Sequence, residues 1–126
     1  SVSMSDIAAA NVPAVIDFGS DSCAPCKAMA PVLEEANRSA QGSAIVKFVD
    51  VWKHPNAANG LPVQVIPTQL LVMPGGAPYV PSASLSDEFG LEFSRYDDES
   101  GNHAYTTHQG ALTQEQMDAI LADMGV

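Results

Sequence analysis

The two cysteines of this chain, Cys23 and Cys26, stand where a strand-like run gives way to a helical one, and this placement constrains the fold most. Residues 13–19, ahead of the pair, are nearly all apolar, which is typical of a strand buried on both faces. Behind the pair, apolar residues recur at helical spacing, namely Met29, Val32, Leu33 and Ala36. A cysteine in the first turn of that helix lies beside unpaired backbone N–H groups and the positive end of the helix dipole. Its thiolate form is therefore favoured.

The size of this effect points to redox chemistry. A free thiol with a pKa of about 8.5 is only about 3% thiolate at pH 7, whereas helix N-termini lower the pKa to between about 3.5 and 7.5. Two alternatives remain. One is that the cysteines are structural, as two thiols or as a static disulfide, and the other is that they bind a metal. With His103 and His108 the cysteines have zinc-like spacing. The strand-like run 103–108 is expected to place the two histidines on opposite faces, so no metal is predicted.

The composition argues against several classes of partner. A net charge of −10 and a pI near 4.3 disfavour nucleic acid and anionic membranes, because both bind basic surfaces. No apolar run approaches the roughly 18 residues of a membrane-spanning helix, so no stable membrane insertion is expected. With 126 residues and 46% hydrophobic content, the chain is expected to form one domain over residues 1–126.

The order of predicted elements indicates an α/β protein. Strands are predicted at residues 13–19, 44–51, 68–73 and 103–108. A short helix over residues 6–10 is expected to be capped by Ser5. One or two helical turns are expected at residues 55–59.

Two longer helices complete the pattern. The cysteine helix is predicted over residues 23–38, with Ser22 or Asp21 as its cap and a kink at Pro31. The last helix follows a capping box at residues 113–116 and is closed by Gly125. Its apolar face consists of Met117, Ile120, Leu121 and Met124.

Further features stand in order along the chain: Asp17 six residues before the first cysteine, Lys27 with Pro31, the tripeptide Ile66-Pro67-Thr68, and the segment Gly110-Ala111-Leu112-Thr113. With these features the chain resembles the thioredoxin superfamily over almost its whole length. The resemblance implies a thioredoxin-like fold, in which helices flank a central mixed sheet of about four strands. The 12 residues before the first strand are too few for the family's leading strand and full first helix, so the fold is expected to be shortened at its N-terminus.

The resemblance assigns catalytic roles to three residues. Cys23, expected to be exposed, would attack a substrate disulfide and form a mixed disulfide. Cys26, one helical turn on, would attack Cys23 and release the reduced product. Asp17 lies in an apolar strand, where burial raises the pKa of a carboxylate, and could accept the proton of Cys26.

The remaining matched residues are expected to bind substrate. Pro67 would be cis, and the backbone of Ile66 would pair with an extended substrate segment. Pro25 stiffens the cysteine turn, while the small Ala24 leaves the sulfur of Cys23 open. Gly110, where the last strand ends, completes the expected substrate-binding set.

Together these features predict a thiol-disulfide oxidoreductase that reduces protein disulfides without a cofactor. Its expected partners are protein disulfide substrates and an upstream dithiol donor, and the protein is expected to be a monomer. Two other classes remain open. One is a redox-inactive binding module that keeps the fold, and the other is a carrier of a metal or cluster between two chains.

The chain departs from the family pattern at three points. Ser22 stands where most thioredoxins have tryptophan, which leaves the substrate range open. Phe48, or Lys47 if one residue is inserted, stands where the family often has a buried lysine, so the partner of Asp17 is uncertain. The short N-terminal region is similar to that of membrane-tethered or exported reductases. It favours an extracytoplasmic location over a cytoplasmic one.

Residues 74–98 form an insertion where the family has a tight hairpin. This segment holds half of the chain's aromatic residues, namely Tyr79, Phe89, Phe93 and Tyr96. One interpretation is a surface flap anchored by its aromatics, and the other is a docking surface for one partner. Because the strand before it leads away from the cysteines, the insertion is expected at the far end of the domain unless it folds back.

Overall fold

The structure, a computed structural model, describes residues 3–126. Its strands are β1 Ala14–Gly19, β2 Ile45–Asp50, β3 Thr68–Val72, β4 Ser94–Asp97 and β5 His103–Gln109. Its helices are α1 Met4–Ala9, α2 Ala24–Ser39, α3 Ala83–Phe89 and α4 Gln114–Asp123, and a single 3₁₀ turn covers Pro74–Gly76. The predicted α/β class is therefore confirmed.

The five strands form one mixed sheet in the order β2-β1-β3-β5-β4. Strands β1 and β2 are parallel, whereas β3 is antiparallel to both β1 and β5. The register pairs Phe18 of β1 with Thr68 of β3, and Thr68 with Gln109 of β5. The C-terminal ends of β1 and β5 and the N-terminal end of β3 therefore lie side by side at the same edge of the sheet.

Apolar side chains cover both faces of the sheet. On one face, Val15 and Leu71 pack with Met29 of α2 and with Met117 and Ile120 of α4. On the other, Ile7 of α1 packs against a second group of buried strand residues, namely Ile16, Phe18, Leu70 and Val72. Because β1 is covered on both sides, every one of its residues is buried, as its continuous apolar pattern predicts.

Several expected details differ in the structure. Helix α1 begins at Met4, so Ser3 rather than Ser5 is its cap, and the Ser3 hydroxyl accepts the N–H of Asp6. Residues 55–59 form successive turns instead of a helix, because their hydrogen bonds join residues only three apart, as from Ala57 to His54. The capping box of α4 is present, formed by Thr113 and Gln116.

The segment from Pro74 to Asp98 is part of the core. It contributes α3 and β4, the latter a fifth strand that its short and polar sequence did not predict. Tyr79, Leu85 and Leu91 are each buried to 3% exposure or less. The surface-flap interpretation is therefore wrong for these residues.

The second half of this segment also returns toward the sheet edge that carries the cysteines. Gln116 in the first turn of α4 donates a hydrogen bond to the carbonyl of Phe89, at the end of α3. Strand β4 then begins with Ser94 opposite Thr107, two residues before the end of β5. The expected location at the far end holds only for the residues that directly follow β3.

Candidate functional site

The cysteine pair lies at the start of α2 and forms a disulfide, with the two Cα atoms 5.1 Å apart. Cys23 is the N-cap of this helix, a position that sequence patterns assigned to Ser22 or Asp21. Its carbonyl accepts the first helical hydrogen bond, from Lys27 at 2.9 Å. Since the side chain of an N-cap residue lies beside the free N–H groups of the first turn, a thiolate at Cys23 is stabilised there.

The two sulfurs differ in accessibility less than expected. Cys23 is 9% exposed and Cys26 3%, so the prediction of an exposed first cysteine is wrong for the disulfide form. The reason is that the disulfide turns the Cys23 side chain toward Cys26. Ala24 and Pro25, between them, are exposed, which leaves the turn itself open to a substrate.

Gly19 explains how the second sulfur comes so close to the sheet. A Cβ atom at this position would lie 3.0 Å from the Cys26 Sγ and 3.1 Å from the Phe48 ring. A Cβ atom would therefore require Cys26 or Phe48 to move by a few tenths of an ångström, whereas glycine leaves both groups in place. Phe48 and Cys26 also line a cleft of about 240 Å³ between α2, β2 and the residues at positions 20–21.

Two further segments lie at the edge of the sheet where β1 leads into the cysteine turn. The bond between Ile66 and Pro67 is cis, as the resemblance implies. Ile66 is half-buried, and the Pro67 carbonyl accepts the N–H of Gly110 at 2.8 Å. Gly110 has a φ of +99°, a left-handed conformation that favours glycine. The geometry therefore gathers the predicted substrate-binding residues around one edge.

Asp50 is a site residue that sequence patterns did not identify. It ends β2, and its carboxylate accepts backbone N–H groups from Asp21 at 3.1 Å and from Trp52 and Lys53 at 3.0 Å each. These hydrogen bonds, chiefly that from Lys53, hold the pKa of Asp50 below its usual value. The carboxylate thus ties the loop that precedes the cysteines to the loop after β2. An ion pair from Lys53 to Asp21 joins the same two loops.

Asp17 is buried within β1, as predicted. Its Oδ1 accepts a hydrogen bond of 2.8 Å from Gln69 Nε2, whereas its Oδ2 has no partner among residues 3–126. Burial raises the pKa of Asp17 to about 6, and the Gln69 hydrogen bond partly opposes this rise. Phe48, in register with Asp17 on β2, supplies no charge. The partner of the carboxylate is therefore a neutral amide.

The two histidines considered as zinc ligands have other partners. His103 Nε2 lies 2.7 Å from the Thr106 hydroxyl, and His108 Nδ1 lies 2.6 Å from Gln69 Oε1. Pairing between β4 and β5 is irregular next to His103, so the strict alternation expected of the strand does not hold there. Within the described residues, no three histidine, cysteine or acidic side chains are close enough together to hold a metal ion.

The raised pKa of Asp17 has a consequence for stability. Because the folded value, about 6, exceeds the ordinary 3.8, the folded state holds more protons between about pH 4 and 6. Stability should therefore decline as the pH rises through this window, by about 3 kcal/mol in total at 1.36 kcal/mol per pKa unit. Asp17→Asn should remove this decline. Since the new amide N–H₂ is left unpaired at every pH, we expect a loss of roughly 1–2 kcal/mol at pH 4 and a gain of roughly 1–2 kcal/mol at pH 7.

Urea unfolding of the oxidised protein between pH 4 and 8 measures this difference. Asp87→Asn is the matched control, because Asp87 is an exposed aspartate on α3. If the Asp17→Asn curve ran parallel to the unmodified protein over the whole pH range, a raised pKa of Asp17 would be contradicted.

Comparison with known proteins agrees with this geometry. The thioredoxin family profile matches residues 4–87. Among curated proteins, thioredoxin of Mycobacterium tuberculosis is 37% identical over 70 residues, which are 56% of this chain and 60% of that protein. The bifunctional thioredoxin reductase/thioredoxin of Mycobacterium leprae is 38% identical over 73 residues, or 58% of this chain and 16% of that protein.

A solved structure extends the likeness beyond the matched residues. The crystal structure of chloroplastic thioredoxin z superposes with a TM-score of 0.64 at 22% identity, and the alignment covers 94% of this chain and 83% of that one. At this identity the likeness concerns the fold alone. The chain spans only about 60% of the length of the M. tuberculosis thioredoxin. Since the family profile covers well over half of the chain, from α1 through most of α3, this protein belongs to the thioredoxin family.

Proposed function

We propose that this protein is a thiol-disulfide oxidoreductase that reduces disulfides of protein substrates. The observation that carries the proposal is the Cys23–Cys26 disulfide at the start of α2, on the sheet edge that also holds cis-Pro67 and above the buried Asp17. A binding module that only kept the fold would need none of these groups together.

In the proposed reaction the reduced Cys23 thiolate attacks one sulfur of the substrate disulfide. A Cys23–substrate bond forms, the substrate disulfide breaks, and the leaving thiolate takes a proton from solvent. Cys26 then transfers its proton to Asp17 Oδ2, the oxygen that has no hydrogen-bond partner among residues 3–126, and attacks Cys23 Sγ. The Cys23–Cys26 disulfide forms as the second substrate thiol leaves, so the substrate gains the two electrons that the protein loses.

The surroundings of the pair support protein substrates over small ones. Ala24 and Pro25 are exposed, Val65 is 51% exposed and Ile66 is partly exposed, so an extended segment can approach the residues just before the buried Pro67. Thr68 fixes this loop by donating its hydroxyl to the Val65 carbonyl at 2.6 Å. An upstream dithiol donor would restore the reduced pair, and we propose that the protein acts as a monomer. An extracytoplasmic location stays a prediction from the sequence.

Equilibration of the Cys23/Cys26 couple in glutathione redox buffers, followed by acid quench and thiol alkylation, tests the direction of the reaction. A reductase should have a potential well below that of the glutathione pool, and each 30 mV corresponds to about a tenfold change in the exchange equilibrium. A potential near that of strong dithiol oxidants, about −120 mV, would instead indicate a protein that forms disulfides in its substrates. Failure of the reduced protein to reduce insulin at any pH would favour the binding module.

A further inference from the structure

Three buried polar side chains, joined in series by hydrogen bonds, cross the sheet below the cysteines. Asp17 on β1, Gln69 on β3 and His108 on β5 are cross-strand neighbours, since the register pairs Asp17 with Gln69 and Gln69 with His108. Their exposed fractions are 0%, 0% and 8%. Strands covered on both faces seldom carry polar residues unless these are hydrogen-bonded to one another.

The hydrogen bonds fix the orientation of the Gln69 amide. Its Nε2 donates to Asp17 Oδ1 at 2.8 Å and to the Gly110 carbonyl at 3.0 Å. Its Oε1 can only accept, so the His108 Nδ1, 2.6 Å away, carries the hydrogen. A flipped amide would direct its oxygen at two other oxygens, Asp17 Oδ1 and the Gly110 carbonyl. His108 and these two acceptors therefore favour the same orientation, in which Gln69 donates to Asp17.

Within residues 3–126, the side chains seen to contact these three residues from α2 and from the segment before β4 are neutral. Helix α2 presents Met29, whose sulfur lies 3.4 Å from Gln69 Nε2, and Cys26 one turn earlier on its buried face. Beyond His108 lies the ring of Phe93, with a centroid distance of 6.0 Å, and then Tyr79 with its partner Asp123. Burial lowers the pKa of His108, which keeps its imidazole neutral at pH 7.

We propose that Gln69, oriented by His108, is a positioning residue for the proton transfer from Cys26 to Asp17. The inference rests on the function proposed above and deepens it. The amide donates to Oδ1 and stabilises the ionised carboxylate, which leaves Oδ2 to accept the thiol proton. When Cys26 loses its proton, Asp17 becomes neutral, and the new thiolate breaks the Cys23–substrate bond. Among residues 3–126, the hydrogen bonds of Gln69 and His108 do not reach the sulfur of Cys23 or Cys26, so both residues act through Asp17.

Two variants and one control test this role. Gln69→Leu removes the donor in a side chain of similar size, and His108→Phe removes the group that orients it. His103→Gln is the control. It alters a histidine that lies on β5 like His108 but has Thr106, rather than Gln69, as its hydrogen-bond partner. Two quantities are measured: the rate of mixed-disulfide resolution from pH 5 to 9, and the Asp17 carboxyl titration by NMR in the oxidised protein.

Loss of the amide donor should raise the pKa of Asp17 by about one unit, and loss of His108 by less, because the amide still donates to Asp17 and Gly110 while its oxygen loses the partner that holds it in place. A one-unit rise would lower the ionised fraction of Asp17 at pH 6 about fivefold, from roughly one half to one tenth. Resolution in Gln69→Leu should therefore be about fivefold slower at pH 6 and nearly normal at pH 9. His103→Gln should follow the unmodified protein throughout.

Other results would overturn the proposal. A purely structural role for Gln69 would lower the resolution rate equally at every pH and leave the Asp17 titration unchanged. If Gln69→Leu did not fold, an unchanged Asp17 titration in His108→Phe would have the same meaning. If the unmodified protein exchanged no disulfides, the proposed function would fail, but the titration of Asp17 would still decide whether Gln69 and His108 control it.

Discussion

Reduction of a protein disulfide is expected to fall by about a thousandfold or more in Cys23→Ser, because a serine hydroxyl at the helix start cannot attack a disulfide. Cys26→Ser should behave differently. It keeps the attacking thiol and loses the one that resolves the intermediate, so a mixed disulfide with substrate should accumulate on Cys23. Turnover with insulin and mass spectrometry of the trapped complex measure the two effects.

The exposed Ser22, directly before the pair, offers a matched control. Ser22→Ala should reduce insulin at nearly the normal rate, since the Ser22 contact to Ser20 involves its backbone N–H rather than its hydroxyl. Alkylation of the reduced protein at pH 7 gives an independent test. Faster labelling of Cys26 than of Cys23 would reverse the assigned roles.

Truncation of Tyr79 is expected to produce the largest loss of stability, about 3–5 kcal/mol for Tyr79→Ala. The ring is 1% exposed, packs edge-to-face against Phe93, and lies in the main core beside Leu85 and Leu91. Its hydroxyl donates to Asp123 on α4, and burial together with that carboxylate raises the pKa of Tyr79. Urea unfolding of the oxidised protein at pH 7 measures the loss.

Two further variants separate packing from hydrogen bonding at this position. Tyr79→Phe removes only the hydroxyl, while Asp123 keeps the backbone N–H of Ser82, so a cost of about 1 kcal/mol is expected. Val80→Ala, at a neighbour that is 73% exposed, should change stability by no more than about 0.5 kcal/mol. Equal losses in Tyr79→Ala and Val80→Ala would contradict a core role for the ring.

The same packing predicts the outcome of a larger deletion. Replacement of residues 75–97 by a short Asn-Gly turn removes Tyr79, Leu85 and Leu91 together with strand β4. We therefore expect the shortened chain not to fold, as circular dichroism and urea unfolding would detect. A cooperative transition at near-normal urea concentration would show instead that the sheet and its three other helices suffice.

Local patterns in the sequence predict the cysteine helix and the burial of Asp17, whereas the cis bond at Pro67 follows only from the family resemblance. Cys23 and Cys26 follow a strand and begin a helix within a few residues, and an aspartate in an apolar strand must be buried wherever that strand packs. The final helix is equally local, since its capping box and apolar face lie within a dozen residues. Strand β1 and helices α2 and α4 accordingly lie within a residue or two of their predicted bounds.

Only the tertiary structure decides what depends on distant residues. Gln69 and His108 have no local sign of a shared role, and 39 residues separate them, yet the register of β3 and β5 joins them to Asp17. Strand β4 is short and half-exposed, so its own sequence has little preference for a strand. Its pairing with β5 is what stabilises it as one. Tyr79 likewise becomes a core residue only because α3 and α4 enclose it. The sequence by itself determined the position of the two cysteines at a helix start, whereas long-range packing decided the partner of the buried carboxylate, since hydrogen bonds across a sheet depend on strand register.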